Sequence, residues 1–171
     1  MRRLGLLRAS SRESGAALVE FAIVLPVFMM LLLGMMTGGL AYSRKLSVAQ
    51  AAREGARFGA TLPITASLPR DAWLPRVGNL TIASSDGELA PDKAGRSVCI
   101  AHVPASGTAR KWEVVGTAAP VLADGTCIGA DGRNGETRVQ VVVGRTSTLE
   151  ALVFSRDLAL ESHAVARFES P

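Results

Sequence analysis

The sequence predicts an α+β protein. One long N-terminal transmembrane helix continues into an exported stalk, and a small, mostly antiparallel β domain follows. Three observations point there. Between Ala16 and Ser43 the only charged residue is Glu20. As a helix this run spans about 42 Å at ~1.5 Å per residue, more than a hydrocarbon core of about 30 Å requires. Small and apolar residues then keep helical spacing as far as Gly59. From residue 97 the texture changes to short β-branched runs bounded by Gly, Pro or polar residues.

The 171 residues suffice for one ordinary domain with an appendage. They divide into a basic leader (1–15), a transmembrane helix (16–42), a helical stalk (43–60), a loop-rich connection (61–96) and an exported β-rich domain (97–171). The leader holds Arg2, Arg3, Arg8 and Arg12 against one acid, Glu13. Without it the net charge falls from +4 to +1, so the basic balance is a weak argument for nucleic acid. Positive charge before the run favours keeping that end in the cytoplasm and the C-terminal part outside. Arg44 and Lys45 on the far side weaken this preference without reversing it.

Within the helix, Pro26 removes one backbone hydrogen bond, which membrane helices tolerate. Gly34 and Gly38 form a small-xxx-small pair, and Gly55 and Gly59 form another. Tyr42, Leu46, Ala49, Ala52, Ala56 and Gly59 read as one stripe. Such a stripe, with Ala52 and Ala56 at its centre, lets a helix or sheet come close. The plainer alternative is a stalk with its small side against its own domain. Arg53, Glu54 and Arg57 read as a solvated face, with docking onto an acidic partner as the alternative.

Residues 61–96 contain Pro63, Pro69, Pro75 and Pro91 and a turn signal at Asp86-Gly87, so loops are expected, with one short strand near 79–84. Trp73, between two prolines, reads as a packing anchor. Beyond it, 97–103, 111–116 and 137–143 read as strands, with Val139, Val141 and Val143 on one face. Residues 158–168 alternate less cleanly: Leu158, Leu160, Ser162, Ala164 and Ala166 can line one side of a strand, and a terminal helix is the alternative by propensity. Cys99 and Cys127, both in the exported part, are expected to form a disulfide worth ~3–4 kcal/mol in the chain-entropy model; two buried free thiols are the alternative.

No catalytic or metal constellation emerges. His102 and His163 each sit alone in a strand, without a nucleophile motif. The two cysteines and two histidines lack zinc spacing. Asp124, Asp131, Asn134 and Glu136 are better explained by turns at Asp-Gly and Asn-Gly than by calcium. Asn79-Leu80-Thr81 fits a glycosylation sequon, a common chance match. The expectation is therefore no enzyme, no cofactor, no metal, no nucleic acid and no small-molecule substrate.

The start of the apolar run carries the most specific chemistry. Gly15 precedes it, and Glu20 is the fifth residue after Gly15, which is the spacing of prepilin leaders. A glycine admits close approach to its backbone. A cut after Gly15 would free the amine of Ala16, and Glu20 of a neighbouring subunit would pair with it more strongly at low dielectric. Alternatively, Glu20 lies one turn inside the helix and reaches the headgroups.

SGAALVEFAIVLPVFMMLLLG, together with AAREGARFGA downstream, resembles the TadE-like family of minor pseudopilins of the tight-adherence pilus machinery. Arg12, Gly15, Ala16, Val19, Glu20, Phe21, Ala22 and Pro26 carry the first element. Ala51, Ala52, Arg53, Glu54, Gly55, Ala56 and Arg57 carry the second. The resemblance is strong over residues 12–60 and loose near the C-terminus, where it implies a strand rather than a helix for 158–168. It implies cleavage between Gly15 and Ala16 by a membrane prepilin peptidase, assembly through Ala16, Glu20 and Phe21 with other pilin-like subunits, and a place in or beneath a pilus at the cytoplasmic membrane of a prokaryote. The competing reading is an uncleaved single-pass adaptor whose outer domain binds a protein or cell-wall partner.

Overall fold

The structure, a computed structural model, describes residues 10–129, 135–151 and 154–168. Helix α1 runs from Ser10 to Thr61 and α2 from Arg70 to Ala83. The strands are β1 (Arg96–Val103), β2 (Arg110–Val115), β3 (Val121–Asp124), β4 (Arg138–Ala151) and β5 (Phe154–Arg167). They form one open sheet in the order β3-β2-β1-β4-β5, and every neighbouring pair is antiparallel. The α+β class, the long first helix and the antiparallel sheet follow the sequence reading.

Side-chain alternation decides which sheet face is covered. Ile100 lies opposite Trp112 on one side and Val141 on the other, and Val141 lies opposite Ala164. With Val98, Val114, Val139 and Val143 these residues form an apolar face. Val48, Ala51, Ala52 and Ala56 of α1 and Trp73, Leu74 and Val77 of α2 close the core over it. The second half of the predicted stalk is thus part of the domain, and its small side faces that domain. Arg53, Glu54 and Arg57 are exposed on the opposite side.

The predicted stripe is correct from Ala52 onward and wrong before it. Tyr42 is 70% exposed and Leu46 47% exposed. Stepping back by threes from Ala52 through Ala49 to Leu46 rotates the line by about 120° around the helix. The buried line instead steps by fours, through Val48 to half-buried Arg44.

The expected strand at 79–84 is also wrong: most of these residues end α2. Pro69 is the N-cap of that helix, outside the hydrogen-bonded turns, where a missing N–H costs little. Pro75 lies inside and removes one bond. Burial of Trp73, Leu74, Val77 and Thr81, spaced as a helical face, outweighs it. Trp73 Nε1 donates to the Leu62 carbonyl at 2.9 Å, so the tryptophan is the packing anchor expected. At Gly78 an added Cβ would collide with the Trp112 ring, and at Gly59 it would come within 3.0 Å of Val139. Glycine at these two sites lets the layers approach.

The sequence reading missed β3, a four-residue edge strand paired with β2. It preferred a strand for 158–168, and β5 is that strand.

Candidate assembly surface on the first helix

Three regions hold the residues singled out above: the free part of α1, its junction with the domain, and the outer face of the sheet.

From Gly15 to Ser43 the helix stands clear of the domain and is largely exposed. Leu18, Phe21, Ile23, Phe28, Met35 and Met36 lie open along it. Over Gly15–Thr61 it is long and apolar enough to cross a membrane, and its most apolar part buries nothing against the rest of the chain. One N-terminal apolar helix of this kind fits a single-pass membrane protein. Ala16 and Glu20 are one turn apart and exposed. A Cβ built on Gly15, Gly34 or Gly38 meets no atom within 4 Å. Nothing in the chain's own packing therefore requires glycine at these three positions. At Ala52 and Ala56 the case is opposite, since both are buried in their own domain. The leader arginines Arg2, Arg3 and Arg8 lie outside the described residues.

Where α1 meets the sheet, an ionic cluster joins three distant segments. Arg44 Nη1 donates to Ser147 Oγ at 2.6 Å. Arg44 Nε is 3.6 Å from Glu88 Oε1, and Arg145 Nε is 3.4 Å from Glu88 Oε2. Glu88 thus bridges α1 and β4. Sequence reasoning saw Arg44 only as the end of the apolar run. Neither Glu88 nor Arg145 carried a local signal, because their partners are far along the chain.

On the outer sheet face, Cys99 and Cys127 stand as a disulfide with Cα atoms 5.8 Å apart. Fully buried Gln140 accepts backbone N–H bonds from Cys127 at 3.1 Å and Ile128 at 3.2 Å. Bridge and amide together hold the loop after β3 against the sheet. Gln140 was missed because a glutamine in an alternating strand reads as solvated. Of the oxygen ligands considered for calcium, Asp131 and Asn134 lie outside the described residues. Asp124 is in a salt bridge with Arg110, which also holds Asp71 of α2. Hydrogen bonds to Asp71 and then Asp124 raise the Arg110 pKa further.

His102 is buried among aromatic rings, 5.8 Å from Trp73 and 5.4 Å from Phe168 between centroids. Its Nδ1 has no hydrogen-bond partner. Burial, and then the charge of Arg70, lowers its pKa to about 4. His163 is exposed. Among the described residues no group of three or more metal-ligating side chains comes together.

Residues 15–57 match the family model described as TadE-like protein. That segment is TadE-like. The TadE-like segment begins at Gly15 and ends at Arg57, so it contains both the exposed apolar helix and the part buried under the sheet. No curated protein and no solved structure matches the chain. The TadE-like match therefore covers the helix, while the β domain is described by its structure alone.

Proposed function

We propose that this chain is a minor pilin-like structural subunit, a pseudopilin, of a tight-adherence type pilus assembly system. In this reading a membrane prepilin peptidase cuts after Gly15. The Ala16 amine then pairs with Glu20 of a neighbouring pilin-like subunit, and Phe21 joins that contact. The chain crosses the cytoplasmic membrane once, with its N-terminus inside and its β domain outside, and its role is structural rather than catalytic. The observation that carries the proposal is the TadE-like segment, whose free half presents Gly15, Ala16 and Glu20 in order on an exposed helix. Glycines without any packing reason in their own chain support contacts made outside it.

A second reading is an uncleaved membrane adaptor. It is favoured by one observation: α1 runs unbroken through Gly15 and Ala16, whereas a peptidase needs extended backbone at its cut. Determining the N-terminal residue of protein purified from native membranes decides between them. Ala16 is expected at the N-terminus. An intact leader would overturn the processed-subunit reading in favour of the adaptor.

A further inference from the structure

Glycine is unevenly placed along α1. Residues 16–33 contain none, and Gly34, Gly38 and Gly39 then fall within six positions. Gly55 and Gly59, higher on the helix, have a packing reason. An added Cβ would collide with Thr81 at the first and come within 3.0 Å of Val139 at the second. A Cβ on Gly34, Gly38 or Gly39 meets nothing within 4 Å. Contact with a neighbouring helix accounts for only two of these three. At about 100° per residue, Gly38 lies about 40° from Gly34 around the helix, whereas Gly39 lies about 140° from it. One helix does not lie against both Gly34 and Gly39. What the three share is backbone freedom, since glycine weakens a helix interior relative to alanine.

The segment sits between two fixed bodies. On the domain side, Arg44 is bonded to Ser147 and faces Glu88, so α1 from there upward moves with the sheet. On the other side, twenty helical residues counted from Ala16 span about 30 Å, the thickness of a hydrocarbon core, and end at Met35. Gly38 and Gly39 thus stand outside the hydrocarbon. Backbone groups freed by a bend there are hydrated by water and headgroups, which the bilayer core does not allow. No packing holds the helix straight between the two bodies: Gly34, Met35, Met36, Gly38, Gly39 and Leu40 are exposed. The Thr37 hydroxyl donates to the Leu33 carbonyl at 2.8 Å and lies 3.2 Å from the Gly34 carbonyl, a back-bond that favours bending.

We propose that residues 34–39 are a hinge that lets the β domain tilt relative to the membrane-spanning part of α1. The straight helix is one state, and bent states interconvert with it. The glycines lower the cost of bending, the lack of packing leaves it unopposed, and the headgroup layer receives the freed backbone. The joint at Arg44 keeps the bend below the domain, so the domain tilts as a unit. A subunit held in the membrane thereby presents its sheet to a neighbour at more than one angle. This inference rests on α1 as the membrane anchor in the reading above.

The test uses the full chain in phosphatidylcholine–phosphatidylglycerol vesicles, diluted with unlabelled chain. The two native cysteines are bridged, so spin labels attach only to introduced ones. Leu31→Cys and Gln50→Cys bracket the hinge, about 28 Å apart along a straight helix. Gln50→Cys and Asn79→Cys both lie in the domain body and serve as the reference pair. The 31–50 distance distribution should be broader than the reference and extend to shorter distances. Gly39→Ala should narrow it, and Gly34→Ala/Gly38→Ala/Gly39→Ala together should bring it to the reference width. A native 31–50 distribution as narrow as the reference overturns the hinge. So does a broad distribution that the alanine variants leave unchanged. Accessibility of the label at 31 to a water-soluble nickel chelate reads the anchor separately. Protection at 31 with a rigid segment overturns this inference alone, and full access at 31 overturns the membrane span and the inference with it.

Discussion

Arg44, the first cation after the apolar run, donates to Ser147 Oγ at 2.6 Å across 103 positions of chain. The bond joins the point where α1 reaches its domain to the part of β4 that continues past its pairing with β1. Glu88 completes the joint by facing both Arg44 and Arg145.

The two arginines should respond differently to loss of Glu88. The Arg145 side chain is 17% exposed, and Nε has no hydrogen-bond partner, only the Glu88 carboxylate nearby. Glu88→Ala leaves that guanidinium without its counter-charge and should destabilise the domain by about 1–3 kcal/mol. Arg44 is 41% exposed, so Arg44→Ala should cost no more than about 1 kcal/mol. Denaturant unfolding of the two variants in the same detergent checks the order; equal losses would contradict it.

The bridge between Cys99 and Cys127 closes a separation of 28 residues. In the chain-entropy model its removal costs about 3–4 kcal/mol. A Cys99→Ser/Cys127→Ser double variant should unfold at correspondingly lower denaturant. The native protein should shift in mobility on reduction and resist thiol labelling until it is reduced.

His102 gives the domain an acid-sensitive term. Its folded pKa of about 4 lies below its ordinary 6.5, so the unfolded chain binds its proton first. The contribution is present above pH 6.5 and is lost as pH falls from there toward 4. Its full size is at most about 3 kcal/mol, at ~1.4 kcal/mol per pH unit of separation. His102→Leu should flatten this part of the stability profile relative to the native chain. Parallel profiles between pH 7 and 4 would remove His102 as the source.

Much of this architecture was legible in local patterns. The apolar run, the alternation of Val139, Val141 and Val143, and the small residues from Ala52 to Gly59 each reflect one element meeting one environment. The failures came where distant packing overrode local chemistry. Pro75 read as loop and Asn79 as the start of a short strand, yet burial of Trp73 and Val77 holds both in a helix. Gln140 carried no local signal of burial, yet a loop pinned through Cys127 covers it. For the candidate surface, the order Gly15, Ala16, Glu20 was visible at once. The Glu88 joint was not, because three separated segments build it.

Gly15 allows folding and processing to be separated. A Cβ there meets nothing within 4 Å, so Gly15→Leu leaves the packing of the domain untouched. If glycine is needed for the approach of a peptidase, the variant should retain residues 1–15 while keeping the native denaturation midpoint. Glu20→Ala should do the reverse: the leader is removed, but pilus-dependent adhesion falls, because the freed Ala16 amine lacks a carboxylate at low dielectric. Mass spectrometry of the N-terminus and an adhesion assay read the two variants independently. Normal cleavage of Gly15→Leu would release Gly15 from the cut site. Native adhesion with Glu20→Ala would leave the carboxylate as a group that merely reaches the headgroups.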